Sequence, residues 1–144
     1  MLGDEATAAK VLTVDDFTIF GVGVTAGDAF KGADGALFFA TKVSFLNEMK
    51  LVADKTNVDW DKAMEGFVMD GRVGHSHLSV PGPDGKLGFG GSCFPKDIQA
   101  MINLGKSMGL DMHTLSGAWK TNLQVRPDKD WETLEGRAVV KKNK

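Results

Sequence analysis

Apolar side chains recur at spacings of three and four from about Ala36 to Asn57, where Leu37, Ala40, Val43, Phe45, Leu46, Met49 and Val52 keep one stripe. That is the period of an amphipathic helix. Phe38, Phe39, Phe45 and Leu51 widen the apolar surface beyond the stripe, so this helix is expected to be covered on two sides, one of them by a second subunit. Asp59 is placed to cap a shorter helix over Trp60 to Asp70, with Trp60, Ala63, Met64, Phe67 and Val68 inward and Gly71 ending it. Pro95 suits the first position of a third helix running to about Gly109. A fourth, from about Asp111 to Leu123, packs Met112, Leu115, Trp119 and Leu123. Met64, Met69, Met101, Met108 and Met112 fall at helical spacings and read as core filler.

Upstream the pattern changes. DEATAAKVL, Asp4 to Leu12, reads as a short helix with carboxylates in its first turn, and FTIFGVGV, Phe17 to Val24, as a strand. Thr25 to Gly35 is broken by glycines and reads as loop or poorly formed helix. The fold class is therefore mainly α with a short N-terminal α/β remnant. Residues 1–35 form that remnant or linker, 36–126 a helical domain, and 127–144 a polar tail ending in KKNK.

Seventeen basic residues against nineteen acidic ones leave a formal charge of −2, so no cationic excess is available to follow a phosphate backbone, and nucleic acid is excluded as the expected partner. No apolar run approaches the roughly 20 residues of a membrane span. The start at Met1, Gly3, Asp4 and Glu5 lacks the basic and apolar stretches of a secretory signal, and one cysteine forms no disulfide framework; a cytoplasmic location is expected. Between Gly71 and Gly91 stand seven glycines, two prolines and the turn run PGPDG, a long loop of the kind that carries function.

The cysteine, Cys93, lies at the end of that loop in GFGGSCFPKD, at a helix start. Unpaired N–H groups and the positive end of the helix dipole favour a thiolate there, which makes Cys93 a candidate nucleophile. Gly88, Gly90 and Gly91, with Phe89 between them, allow close backbone approach to a substrate, and their N–H groups are placed to cradle an oxyanion. Lys96 adds a cation for thiolate or oxyanion. Asp97, four residues after Cys93, returns to the same side of the first turn and suits a later hydrolytic step as base. The plain alternative is a small buried cysteine. His75 and His77 form an HxH pair without further ligands at suitable spacing; they read as solvated loop residues, and no metal site is expected.

GFGGSCFPKD resembles the cysteine motif of the UDP-glucose and GDP-mannose dehydrogenases, which oxidise a nucleotide-sugar alcohol to an acid. ATKVSFLNE at Ala40 to Glu48 resembles that family's central helix; GRVG at Gly71 to Gly74 and PGPDG at Pro81 to Gly85 resemble the segments leading to its cysteine. QVRPDKDWETLEGRAV, from Gln124, resembles the closing segment of some short members. The resemblance implies the family's helical central domain, similar to the C-terminal domain of 6-phosphogluconate dehydrogenase, pairing two subunits through the helix at about 36–57. It implies NAD as cofactor and two hydride transfers, through a thiohemiacetal and a thioester on Cys93. Asp97 would activate the hydrolytic water, Lys96 would give electrostatic support, and Arg72 would reach the neighbouring subunit's nucleotide sugar.

Against that pattern, the family's lysine and asparagine before the central helix fall on Gly32 and Ala36, with Lys31 one position away. GVGVTAG at Gly21 to Gly27 has the spacing GxGxxxG without a following βαβ unit, so it is read as strand and linker rather than a dinucleotide loop. The expectation is a fragment whose NAD-binding part is missing, with a frame slip garbling the stretch between about Leu12 and Ala36. Such a chain would bind no NAD tightly and turn over no substrate alone. The competing readings are a non-catalytic homodimerisation module derived from the family and, more weakly, an acyl-transfer protein using Cys93 alone.

Overall fold

The computed structural model describes residues 18–19, 22–23 and 26–134, and side chains from 35 to 134. The helix expected over Asp4 to Leu12 and the terminal KKNK lie outside the described residues. Where one strand was expected there are two short ones, β1 (Thr18–Ile19) and β2 (Val22–Gly23), paired antiparallel with Thr18 opposite Gly23 and Ile19 opposite Val22.

Helix α1 runs over Ala26–Thr56, so the stretch expected to be broken after Ala26 is helical. Gly27, Gly32 and Gly35 each cost about 1 kcal/mol relative to alanine, but Ala26, Ala29, Ala33 and Ala36 are the best helix formers and no proline intervenes. Its end is marked by Asn57 in the left-handed conformation (φ 55°) and by the Val58 N–H bonding Ala53 O at 2.9 Å, the long-range bond of a Schellman ending. Asp59 then caps α2 (Trp60–Val68) by accepting the Lys62 N–H at 3.2 Å, as the sequence indicates. None of the α2 residues is buried, and Ala63 is exposed, so its apolar face is only half covered by the chain itself.

Helix α3 covers Cys93–Ser107 and α4 His113–Val125. Pro95 is the third residue of α3 rather than the first. It fits because the first four N–H groups of a helix have no intrahelical acceptor, so the missing donor costs nothing there. The core joins Leu37 and Ala40 of α1, Ile98 of α3, Ala118 of α4 and Phe89 of the glycine loop. Of the methionines read as filler, Met101 packs against this cluster, whereas Met69 and Met108 are exposed.

The stripe on α1 resolves into two faces. Leu37, Ala40, Leu46 and Ala53 are buried, and among them Ser44 donates to Ala118 O at 2.7 Å while Glu48 accepts from Thr121 Oγ1 at 2.6 Å. Phe38, Phe45, Met49 and Val52 form a second, exposed line at spacings of seven, four and three. The expected polar tail from 127 is corrected over its first eight residues: a 3₁₀ turn at Asp130–Thr133 buries Trp131 to 2% exposure, its ring 5.3 Å from that of Trp119.

Candidate functional site

The loop between α2 and α3 is held by side chains. Lys42 of α1 donates from Nζ to Gly74 O at 2.6 Å and Ser76 O at 2.7 Å, and Gly82 and Lys86 close the PGPDG turn through a 2.8 Å main-chain bond. Further on, Asn47 Oδ1 accepts the Gly88 N–H at 3.0 Å. Asn122, fully buried on α4, accepts the Phe89 N–H at 2.7 Å and donates to Phe89 O at 2.9 Å. Asp130 accepts the Gly91 N–H at 3.4 Å.

Of the N–H groups expected to cradle an oxyanion, those of Gly88 and Gly91 are thus bonded to Asn47 and Asp130, and the intervening Phe89 N–H to Asn122. These bonds fix the loop. Gly88 has φ +68°, and a Cβ there would stand closer than 3.0 Å to Asn122 Oδ1; at Gly90 it would meet Arg126 Nη2 and the Asp130 carboxylate as closely. At Gly88 the left-handed backbone adds strain, and at Gly90 a side chain would have to displace the ends of Arg126 and Asp130.

Arg126, 3% exposed, lies at the end of α4 and donates to Asp130 Oδ1 (2.7 Å), Asp84 Oδ2 (2.6 Å) and Leu87 O (3.3 Å). The guanidinium holds the Asp130 carboxyl below the usual carboxylate range, against the opposing effect of burial, and does the same for Asp84. In return the two carboxylates, Asp130 foremost, raise the Arg126 pKa. Lys86 pairs with Asp128, adding a second tie between the PGPDG turn and the segment after α4.

Cys93 is the first residue of α3 and is exposed, so the buried-cysteine alternative does not hold. Its Sγ lies 3.9 Å from Ser92 Oγ. Asp97 stands one turn on, and Lys96 Nζ donates to Asp97 Oδ1 at 2.6 Å, so that cation is engaged by its neighbour rather than by the thiol. Arg72 is exposed and bonds Asp70, Nε to Oδ1 at 2.8 Å, which keeps Asp70 below its usual range.

A cleft of about 590 Å³ opens between the His75 to Ser79 segment and the glycine loop, lined by Gly88 to Gly91, Phe94, Asp84 and Arg126. All four glycine-loop residues singled out from the sequence line it. Cys93, Lys96, Asp97 and Arg72 do not, although Cys93 sits in sequence between the lining residues Gly91 and Phe94. His77, read as solvated, stacks on Phe39 at 4.3 Å between centroids and lies 5.3 Å from Phe94. Asn47, Asn122, Arg126 and Asp130 were missed from sequence. Asn122 and Arg126 continue the inward line of Leu115, Ala118 and Trp119, and a polar residue in that register was the available signal.

Among the described residues the only sheet is the two-residue antiparallel pair, and no parallel βαβ unit is present. Nor is any described helix long and apolar enough to cross a membrane.

A sequence model of the UDP-glucose/GDP-mannose dehydrogenase family, central domain, matches residues 29–124. The chain is 35% identical over 89 residues to UDP-glucose 6-dehydrogenase TuaD of Bacillus subtilis (strain 168), covering 62% of this chain and 18% of that protein. It is 40% identical over 90 residues to the UDP-glucose 6-dehydrogenase of Rickettsia typhi, covering 62% and 19%. A solved UDP-glucose dehydrogenase from the hyperthermophilic archaeon Pyrobaculum islandicum superposes with a TM-score of 0.59 at 36% identity, over 66% of this chain and 21% of that one. The matched region is about a fifth of the length of these relatives.

Proposed function

The chain belongs to the UDP-glucose/GDP-mannose dehydrogenase family, whose central domain it carries, and on that premise we propose that it supplies the cysteine and the subunit-pairing surface of a UDP-glucose 6-dehydrogenase-like enzyme acting in the cytoplasm. Cys93 Sγ adds to the C6 aldehyde of the nucleotide sugar and forms a thiohemiacetal. Loss of the C6 hydride, which NAD would accept as in the family, together with release of the hydroxyl proton to water, would give a thioester on the same sulfur. Water then cleaves the S–C bond with its proton passing to Asp97, leaving the C6 carboxylate and a free thiol. The described residues bind and orient the sugar and carry the covalent bond.

The observation that carries this reading is the exposed Cys93 at the first turn of α3, one turn from a carboxylate and directly after a glycine loop that lines a cleft. That the relatives are UDP-glucose 6-dehydrogenases supports UDP-glucose as the sugar. The exposed line of Phe38, Phe45, Met49 and Val52 supports pairing of two chains through α1. It equally favours the second reading, a homodimerisation module in which chemistry has lapsed, because pairing needs no chemistry and Gly32 and Ala36 stand where the family has its lysine and asparagine.

Alkylation separates the two. Cys93 of the folded chain should react with iodoacetamide faster than Cys93 of the same chain unfolded in guanidinium; equal or slower reaction favours the lapsed module.

A further inference from the structure

We propose that Asn122, acting with Arg126 and Asp130, is a positioning residue for the Cys93 step, fixing the peptide of Phe89 and through it the place of the thiol. The inference rests on the reading of Cys93 as nucleophile. Three residues separate Phe89 from Cys93, and the loop between them belongs to no sheet or helix that would hold it. What holds it is two side chains, Asn122 on Phe89 and Asp130 on Gly91, the second fixed in turn by Arg126. Asn122 bonds both the N–H and the carbonyl of Phe89, which takes a donor and an acceptor on one short side chain; aspartate of the same length lacks the donor. The Phe89 ring is anchored against Phe94 and Trp119 at 5.9 and 6.2 Å, so the peptide cannot turn to find other partners.

Arg126 lines the cleft, and a free guanidinium there would suit a diphosphate. Two carboxylates and a carbonyl already occupy it, and one of those carboxylates, Asp130, in turn holds the Gly91 N–H two residues before Cys93. The guanidinium therefore acts as a tie between loop, PGPDG turn and C-terminal segment. The motif's glycines match this arrangement, since side chains at Gly88 and Gly90 would strike Asn122, Arg126 and Asp130.

The test uses the full 144-residue chain, following iodoacetamide alkylation of Cys93 from about pH 6 to 9 and amide exchange at Phe89 and Gly91. Asn122→Ala should slow alkylation up to about fivefold across this range, the scale of a helix-terminus charge effect at an exposed group. Exchange at Phe89 should quicken by about two orders of magnitude. Asn122→Asp, which keeps the acceptor, should fall between the two, a graded rescue that a general loss of stability does not give. A folded Asn122→Ala protein whose profile superimposes on the wild type overturns the proposal. Should it fail to fold, Asn122→Asp and Asp130→Asn decide, and unchanged profiles in both overturn it. The absolute reactivity of the wild-type thiol tests the functional reading separately: an ordinary wild-type thiol with variants that still shift it sinks that reading alone, and an activated thiol with unshifted variants sinks only this one.

Discussion

Asn122 closes both of its amide hydrogen bonds on a single residue, Phe89, at 2.7 and 2.9 Å, and neither partner reaches solvent. Removing the amide leaves a buried N–H and a buried carbonyl without partners. Asn122→Ala should therefore destabilise the chain by about 2–4 kcal/mol, read from chemical denaturation. A loss below about 1 kcal/mol would mean that water or the loop itself satisfies Phe89.

The glycines of the loop divide by what surrounds them. Gly85 and Gly88 share a left-handed backbone, at φ +74° and +68°, but a Cβ at Gly85 meets nothing within 4 Å while one at Gly88 collides with Asn122. Gly85→Ala should cost about 1–2 kcal/mol from the backbone alone, and Gly88→Ala markedly more. Equal midpoints of thermal unfolding for the two variants would contradict the close packing at Gly88.

Acid should loosen the clasp around Arg126. Asp130 and Asp84 are held below their unfolded values by the guanidinium, so the stabilisation is complete above the unfolded carboxylate pKa and is lost as pH falls through the lower folded values. The urea midpoint should be flat from about pH 7 to 5 and decline below about pH 4. Arg126→Met should flatten that decline. The Asp70–Arg72 pair, fully exposed, should contribute little to it because solvent screens it. A wild-type acid decline retained in full by Arg126→Met would place its origin elsewhere.

Pairing through α1 predicts a dimer in sedimentation equilibrium. Phe45→Glu puts a charge in the middle of the exposed line and should give a folded monomer. A wild-type monomer at tens of micromolar, the range in which ordinary weak dimers form, would remove subunit pairing through α1 from the account.

Much of this architecture was legible in the amino-acid pattern. Asp59 as a cap, the α1 terminus at Asn57, the four helices and the cysteine at a helix start follow from local rules that neighbouring residues satisfy by themselves. The family assignment drawn from the motifs is borne out by the comparisons. What escaped depends on contacts distant in sequence. Nothing near Asn122 announces that it faces Phe89, thirty-three positions away, and Trp131 looked like part of a polar tail because only its packing on Trp119 gives it a core. The helix from Ala26 was missed for a different reason, the weight given to three glycines over the alanines around them. Lys96 was expected to give electrostatic support and Arg72 to reach a neighbouring subunit's sugar; each bonds a carboxylate one or two residues away, a pairing that adjacent residues make by themselves.

The central claim is that Cys93 is the atom on which the sugar is carried, and intact-mass measurement after incubation with the 6-aldehyde of UDP-glucose tests it most directly. The account predicts a covalent adduct of one nucleotide sugar per chain that maps to Cys93 and is absent from Cys93→Ser. No adduct on the wild type, or an adduct of equal yield on Cys93→Ser, would contradict it.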